Sequence, residues 1–236
     1  MRILAVDLGG THVKILLHGA SAERVAPTGP KMTPAKLVRT VRTLARGWRY
    51  DVISLGFPGV VLHGRPVMEP HNLGRGWVGF QYSRAFGCPV RIVNDATMQA
   101  IGSYEGGRML FLGLGTGLGS TLIVDGVVES TELAHLPYKK GRTYEDYVGE
   151  RGLKRLGQKK WRRAVADVCE RFGTAFEIDY IVLGGGNARR LKKLPMNVRL
   201  GSNANAFTGG FRIWLDAHWT ASTATSQHEP TRKRRT

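Results

Sequence analysis

Hydrophobic positions along the chain fall into short blocks that switch between two periods. Ile3-Leu4-Ala5-Val6 is an unbroken apolar run closed by Asp7, the pattern of a short buried strand. Gly9-Gly10 then turns the chain, and residues 13–18 predict a second strand, so the pair reads as a hairpin. From Pro34 to Trp48 the apolar residues Leu37, Val38, Val41, Leu44 and Ala45 recur at helical spacing behind a proline start. Strands follow over 52–57, stopped by Pro58-Gly59, and over 91–93, which runs through Asn94-Asp95 into a helix over 96–104.

The second half repeats the grammar. Strands are predicted over 109–113 and 120–124, separated by a glycine-rich turn, and Asp125-Gly126 is a strong hairpin signal. Helices are expected over 143–156 and 159–176, then a strand over 180–183 that meets Gly184-Gly185-Gly186. A last helix is expected over 205–219, and residues 220–236, rich in Ser/Thr and then basic, are expected to form a disordered tail. No repeat is visible by residue identity, yet a hairpin with an acidic or glycine turn opens each half. The class is α/β.

Composition narrows this picture. A chain of 236 residues, 42% hydrophobic, suits one large domain or two lobes. No apolar run approaches the ~20 residues that span a bilayer, and the N-terminal run is too short for a secretory signal. Two cysteines, Cys88 and Cys169, make neither a disulfide scaffold nor a thiolate zinc site. A cytoplasmic protein with no membrane partner and no zinc is expected.

Charge is the unusual quantity. Thirty-five Lys+Arg against eighteen Asp+Glu leave a formal +17, a field that attracts polyanions. Between residues 139 and 163 ten cations face only Glu145, Asp146 and Glu150. Arg189, Arg190, Lys192 and Lys193 form a second cluster, and Arg232 to Arg235 a third.

Candidate chemistry sits in three glycine turns that follow strands. In the first, Asp7-Leu8-Gly9-Gly10-Thr11, backbone amides and the Thr11 hydroxyl suit phosphate oxygens, with Lys14 nearby as a cation. Asp7 is placed to hold Mg²⁺, directly or through water. The second runs from Gly113 to Ser120 through Gly115, Thr116 and Gly117; the third is Gly184-Gly185-Gly186-Asn187, with Asn187 able to cap a following helix. The spacing G-x-G-x-x-G fails in the second turn because position 118 is Leu, and no Gly-Lys-Ser/Thr occurs, which excludes a P-loop.

In combination these segments resemble the ROK family of bacterial sugar kinases and repressors, nearest its polyphosphate-dependent glucokinases. The resemblance rests on Asp7-Leu8-Gly9-Gly10-Thr11, Gly56-Phe57-Pro58-Gly59, Asn72-Leu73, Val93-Asn94-Asp95-Ala96, the 114–120 turn, Glu132-Leu133-Ala134-His135 and Leu183-Gly184-Gly185-Gly186, in the family's order. It implies an actin-like, ribonuclease-H-like fold of two α/β lobes: residues 1–94, completed by the 205–219 helix, and residues 95–204. It implies Asp95 as general base toward a sugar 6-hydroxyl, with Asn72, Asn94, Glu132, His135 and Glu145 on the sugar. It also implies a homodimer. The segment 136–144 has no Cys where family members often carry a zinc loop, and Ala134 stands where Gly is usual.

The expected reaction is transfer of a terminal phosphoryl group from polyphosphate, ATP or both to glucose, with Mg²⁺. A long positive track suits polyphosphate, and the clusters at 139–163 and 189–193 would supply one. A strictly ATP-dependent kinase is the alternative, as is a non-catalytic sugar-sensing protein that binds polyanions. Family repressors carry a helix-turn-helix ahead of the kinase part; six residues precede Asp7, so specific nucleic-acid binding is not expected.

Overall fold

A computed structural model describes residues 1–202, 204–216 and 219. The N-terminal apolar run is β1 (Ile3–Leu8), followed by β2 (His12–Leu17), β3 (Arg24–Pro27), α1 (Pro34–Leu44) and β4 (Val52–Phe57). A small hairpin, β5 (Val61–Leu62) and β6 (Arg65–Pro66), leads through α2 (Tyr82–Phe86) to β7 (Val90–Asn94). The sheet order is β3-β2-β1-β4-β7, with the first two pairings antiparallel and the last two parallel. β1 and β4 lie inside the sheet, which is why their sequences are almost wholly apolar, Asp7 and Ser54 excepted. Thr33 caps α1 by accepting from the Lys36 amide at 3.3 Å, with Pro34 behind it, as the sequence leads one to expect.

The next helix, α3 (Asp95–Ser103), leads into β8 (Arg108–Leu114), β9 (Leu118–Val124) and β10 (Val127–Thr131). A hairpin of β11 (Pro137–Lys139) and β12 (Arg142–Thr143) precedes α4 (Tyr144–Val148) and α5 (Glu150–Phe176). Then come β13 (Tyr180–Gly184), β14 (Val198–Leu200) and α6 (Asn205–Leu215). The second sheet is ordered β10-β9-β8-β13-β14, again two antiparallel pairings and then two parallel ones. The echo between halves therefore extends from the opening hairpin to all five strands.

Three elements depart from the expected helices, one of them the helix expected over 205–219, which stops at Leu215 with Asp216 extended. The stretch 143–156 is split at Gly149, which is extended and carries no side-chain cap for α5. The break expected near residue 157 is a kink inside α5, where Gly157 takes φ 70° and ψ 161°. β3, β14 and α2 are too short and too mixed in polarity to show in the hydrophobic pattern. The tail expected over 220–236 lies outside the described residues.

α6 packs against α3 and against β1 and β4. Glycines permit this closeness. A Cβ at Gly102 would collide with the Asn205 carbonyl, one at Gly209 with the Met98 carbonyl, and one at Gly210 would lie 2.8 Å from the Ala5 Cβ. Asn205 Nδ2 donates to Ser103 Oγ at 2.8 Å, and Arg212 donates to the carbonyls of Ile101 and Tyr104. Both helices are thereby locked between the sheets, and the residue that begins α3 is fixed with them.

Candidate functional site

All three glycine turns lie at carboxyl ends of central strands, where the loops of an α/β sheet diverge and leave a crevice. The turn after β1, the Pro58-Gly59 turn after β4 and the start of α3 after β7 face the turns after β8 and β13 across a cavity of about 610 Å³. Its wall includes Gly10, Thr11, Asn72, Asn94, Asp95, Gly115, Thr116, Gly117, Glu145 and Gly185. Residues far apart in the chain thus converge on one space.

Asp95 is the first residue of α3, and Asn94 is the cap. Asn94 Oδ1 accepts from the amides of Ala96 at 2.9 Å and Thr97 at 3.3 Å, while its Nδ2 donates to the Gly59 carbonyl at 3.0 Å. The Asn94 amide is therefore spent on shaping the turn and fixing the neighbouring carboxylate. Asp95 Oδ1 accepts from the Ala96 amide at 2.8 Å. Gly56 and Gly119 let the surroundings close in: a Cβ at Gly56 would lie 2.6 Å from the Met98 Cε, and one at Gly119 2.8 Å from the Ala96 Cβ.

That enclosure governs the charge. Burial first, then the nearby Asp7 carboxylate and last Glu132, outweigh two amide hydrogen bonds that lower it and leave the Asp95 pKa raised to about 7. Asp7, beneath the first turn, is raised to about 6 by burial, with Lys14 pulling it down and Glu23 pushing it up. A carboxyl group on the cavity wall that feels a second buried carboxyl behind it suits a proton acceptor near neutrality. Among the described residues no three His, Cys, Asp or Glu side chains converge as a metal set. The buried Asp7 carboxylate beneath the first glycine turn is of the kind that fits Mg²⁺, which is commonly held by one or two carboxylates, water and substrate phosphates.

The glycine turns are braced by specific contacts. The Gly9 amide donates to the His12 carbonyl at 2.9 Å, and Thr28 Oγ1 donates to the Gly9 carbonyl at 2.7 Å, so Gly9 closes the turn and Gly10 and Thr11 line the cavity. Glu145 Oε2 accepts from the Leu118 amide at 3.2 Å, and only a glycine at 117 leaves room for that carboxylate. Gly185 has φ +80°, and a Cβ there would lie 2.6 Å from the Leu114 carbonyl oxygen. Asn187 does not cap the short helix after it: its Nδ2 donates to the Gly115 carbonyl at 3.1 Å, tying the third turn to the second.

Some expected residues lie elsewhere. Lys14 is paired with Glu23 at 3.5 Å and does not line the cavity. Gly184 lies beneath the cavity, where its bare Cα makes room for the Phe111 ring, and Gly186, within the third turn, is off the cavity wall with open space around its Cα. Glu132 and His135 are exposed and outside the cavity wall, although the Glu132 charge reaches Asp95. In the opposite direction, His71, Gln99 and Phe111 line the cavity without having been singled out. Only Gln99 carried a signal, one helical turn after Asp95.

The basic clusters meet beside this cavity. The Glu150 amide at the start of α5 donates to the carbonyls of Gly115 and Thr116. Arg162 Nε donates to the Arg190 carbonyl at 2.8 Å, and Arg190 Nε donates to Asn187 Oδ1 at 3.2 Å. Arg151 approaches Glu145 at 3.7 Å, and Lys154 pairs with Glu150 at 2.7 Å. Cations from the 139–163 and 189–193 segments therefore join at the rim next to the second and third turns.

Known proteins share these features. The family model described as "ROK family" matches residues 3–135, more than half of the chain. The polyphosphate glucokinase of Mycobacterium tuberculosis H37Rv is 27% identical over 215 residues, covering 80% of this chain and 78% of its own. The polyphosphate/ATP-glucomannokinase of Arthrobacter sp. strain KM superposes with a TM-score of 0.72 at 21% identity, over 89% of this chain and 96% of its own. A ROK glucokinase from Streptomyces griseus, solved with glucose and AMPPNP, superposes at 0.71 with 15% identity, over 89% and 98%. These structures share the two-lobed, actin-like fold of this chain. Among the described residues no helix is long and apolar enough to cross a membrane.

Proposed function

We propose, because this chain belongs to the ROK family, that it is a cytoplasmic, homodimeric sugar kinase that phosphorylates the 6-hydroxyl of glucose. Its donor in this reading is polyphosphate, with ATP used alongside. The observation that carries the reading is the enclosed Asp95 carboxylate, in a cavity bordered by glycine turns from both lobes. The named relatives are kinases of sugars, which supports it.

In the reaction the sugar oxygen forms a bond to the terminal phosphorus, the bond from that phosphorus to the bridging oxygen breaks, and Asp95 takes the hydroxyl proton. The products are glucose 6-phosphate and either ADP or a polyphosphate one unit shorter. Little covalent chemistry is asked of the protein, so positioning and charge neutralisation dominate. In this reading the Gly10-Thr11 and Thr116-Gly117 stretches of the cavity wall approach the transferring oxygens, while the Gly115 amide donates to the Gly117 carbonyl at 3.2 Å and braces its turn. Asn72, Glu145, Glu132 and His135 are the sugar contacts carried over from the family resemblance. The last two sit outside the cavity wall, so closure of the lobes on the sugar is part of this reading. Mg²⁺ held by Asp7 and donor phosphate oxygens would supply neutralisation of the negative charge gathered there.

Polyphosphate is favoured by the rim, where Arg151, Lys154, Arg162 and Arg190 lie beside the second and third turns. An adenosine-shaped pocket is not needed for that donor. Deprotonated Asp95 is the active form, so turnover should rise about tenfold per pH unit below the Asp95 pKa and level off above roughly pH 7. Initial rates of glucose 6-phosphate formation between pH 5.5 and 8.5 test this. A flat profile would remove Asp95 from the role of base.

A further inference from the structure

Two buried polar side-chain atoms among the described residues lack a hydrogen-bond partner, Gln99 Oε1 and Trp214 Nε1. The Trp214 ring is covered by the Arg91 guanidinium at 4.0 Å and does not line the cavity. Gln99 does line it. Gln99 follows Asp95 by one helical turn, so both occupy the same face of α3. Its neighbours on the floor are apolar, Phe111 and the bare Cα of Gly184; a Cβ at Gly184 would lie 3.1 Å from Gln99 Oε1. The Ser103 hydroxyl donates to the Gln99 main-chain carbonyl at 2.8 Å, a contact that any residue would offer. Among the described residues nothing therefore uses the side-chain amide. Burying one end of it costs stability without return. A half-turn of the amide exchanges its ends and leaves one of them orphaned in either setting.

Such a cost persists where it serves binding. Gln99 shares the cavity wall with Asp95 and with the turns at Gly113–Gly117 and Gly185, and on the kinase reading that wall encloses both the donor and the sugar. We propose that Gln99 is a substrate-contacting residue on that wall, its amide N–H donating to an oxygen of the transferring phosphoryl group. The inference rests on the kinase reading above and adds a donor that the glycine turns do not supply. A neutral amide contacts the phosphoryl oxygens there without pairing with the carboxylate of Asp95, which a lysine in its place would do.

Gln99→Met keeps the length of the side chain and removes both polar ends. Its thermal midpoint should rise by roughly 2–6 °C, because the orphaned atom is gone. Its kcat/KM for the donor should fall roughly 10- to 100-fold, the value of a hydrogen bond to a charged oxygen, with the glucose KM within about twofold. A raised midpoint with unchanged donor kinetics would overturn the inference, as would a lowered midpoint with sugar and donor constants worsening together. Binding of inorganic tripolyphosphate, followed by calorimetry in both proteins, separates this inference from the kinase reading. Equal affinities in a wild type that turns over sink the Gln99 contact alone. A wild type that transfers nothing, yet binds tripolyphosphate through Gln99, sinks the kinase reading and retains the phosphate contact.

Discussion

Asp95→Asn should lower kcat for glucose phosphorylation by roughly 10²-fold or more, with the glucose KM changed only a few fold. The asparagine is nearly isosteric and can keep the contact between its side-chain oxygen and the Ala96 amide, so the start of α3 should hold its shape. What disappears is the ability to take the hydroxyl proton. The same variant should be more stable than the wild type at neutral and higher pH. The folded-state pKa of Asp95 is raised to about 7, chiefly by burial, so its contribution to stability is fully present below the ordinary carboxylate pKa of ~4 and is lost as pH rises toward 7. The gap in thermal midpoint between variant and wild type should therefore widen from pH 5 to pH 8. Thermal melts at both pH values check this, and a variant with near-normal turnover would remove Asp95 from the mechanism.

Gly209→Ala should produce the second large effect, from a position that touches no substrate. Its new methyl would fall on the Met98 carbonyl, a backbone atom in the middle of α3. Neither partner is a flexible side-chain tip, so the helices must separate, at a cost of roughly 1–3 kcal/mol for overpacking. The thermal midpoint should drop by about 2–10 °C. α3 begins with Asp95, and a displacement near 1 Å at a reacting group can cost about 10²-fold. Turnover should therefore fall along with stability. The glucose KM and kcat of the variant, measured well below its melting midpoint, show whether the carboxylate has moved. Full activity there would mean that α3 does not transmit the shift.

The sequence displayed much of this architecture because its central strands are buried on both faces and read as continuous apolar runs. Ile3 to Val6, Val52 to Phe57 and Tyr180 to Leu183 all became interior strands with at least one parallel neighbour. The edge strands β3 and β14 were hidden, since each has few residues and little side-chain pattern to show. The site was legible where a turn follows a strand, because glycine, Asp and Asn are confined there by backbone demands. The same letters also serve packing and turn geometry, which the chain alone does not display. Gly184 makes room for Phe111, Gly117 for Glu145, and Asn94 spends its amide on the Ala96 and Thr97 amides and the Gly59 carbonyl. Lys14 looked available to phosphate because its cross-strand neighbourhood with Asp7 and its pairing with Glu23 arise only in the folded sheet. Long-range joins such as Arg162 to Arg190 are equally invisible along the chain, although the two clusters that they connect stood out by charge alone.

The kinase reading meets its most direct test in glucose 6-phosphate formation by the purified chain with glucose and Mg²⁺, supplied with polyphosphate in one reaction and ATP in another. Turnover with polyphosphate is expected, and its KM should rise on the order of tenfold between 50 and 200 mM salt if two or three rim cations grip the donor. ATP turnover, which engages fewer charges, should respond less. Turnover with ATP alone would detach the +17 charge from the choice of donor. No phosphorylated sugar from either donor, with glucose or other hexoses, would contradict the kinase and leave a protein that binds sugar and polyanions without joining them.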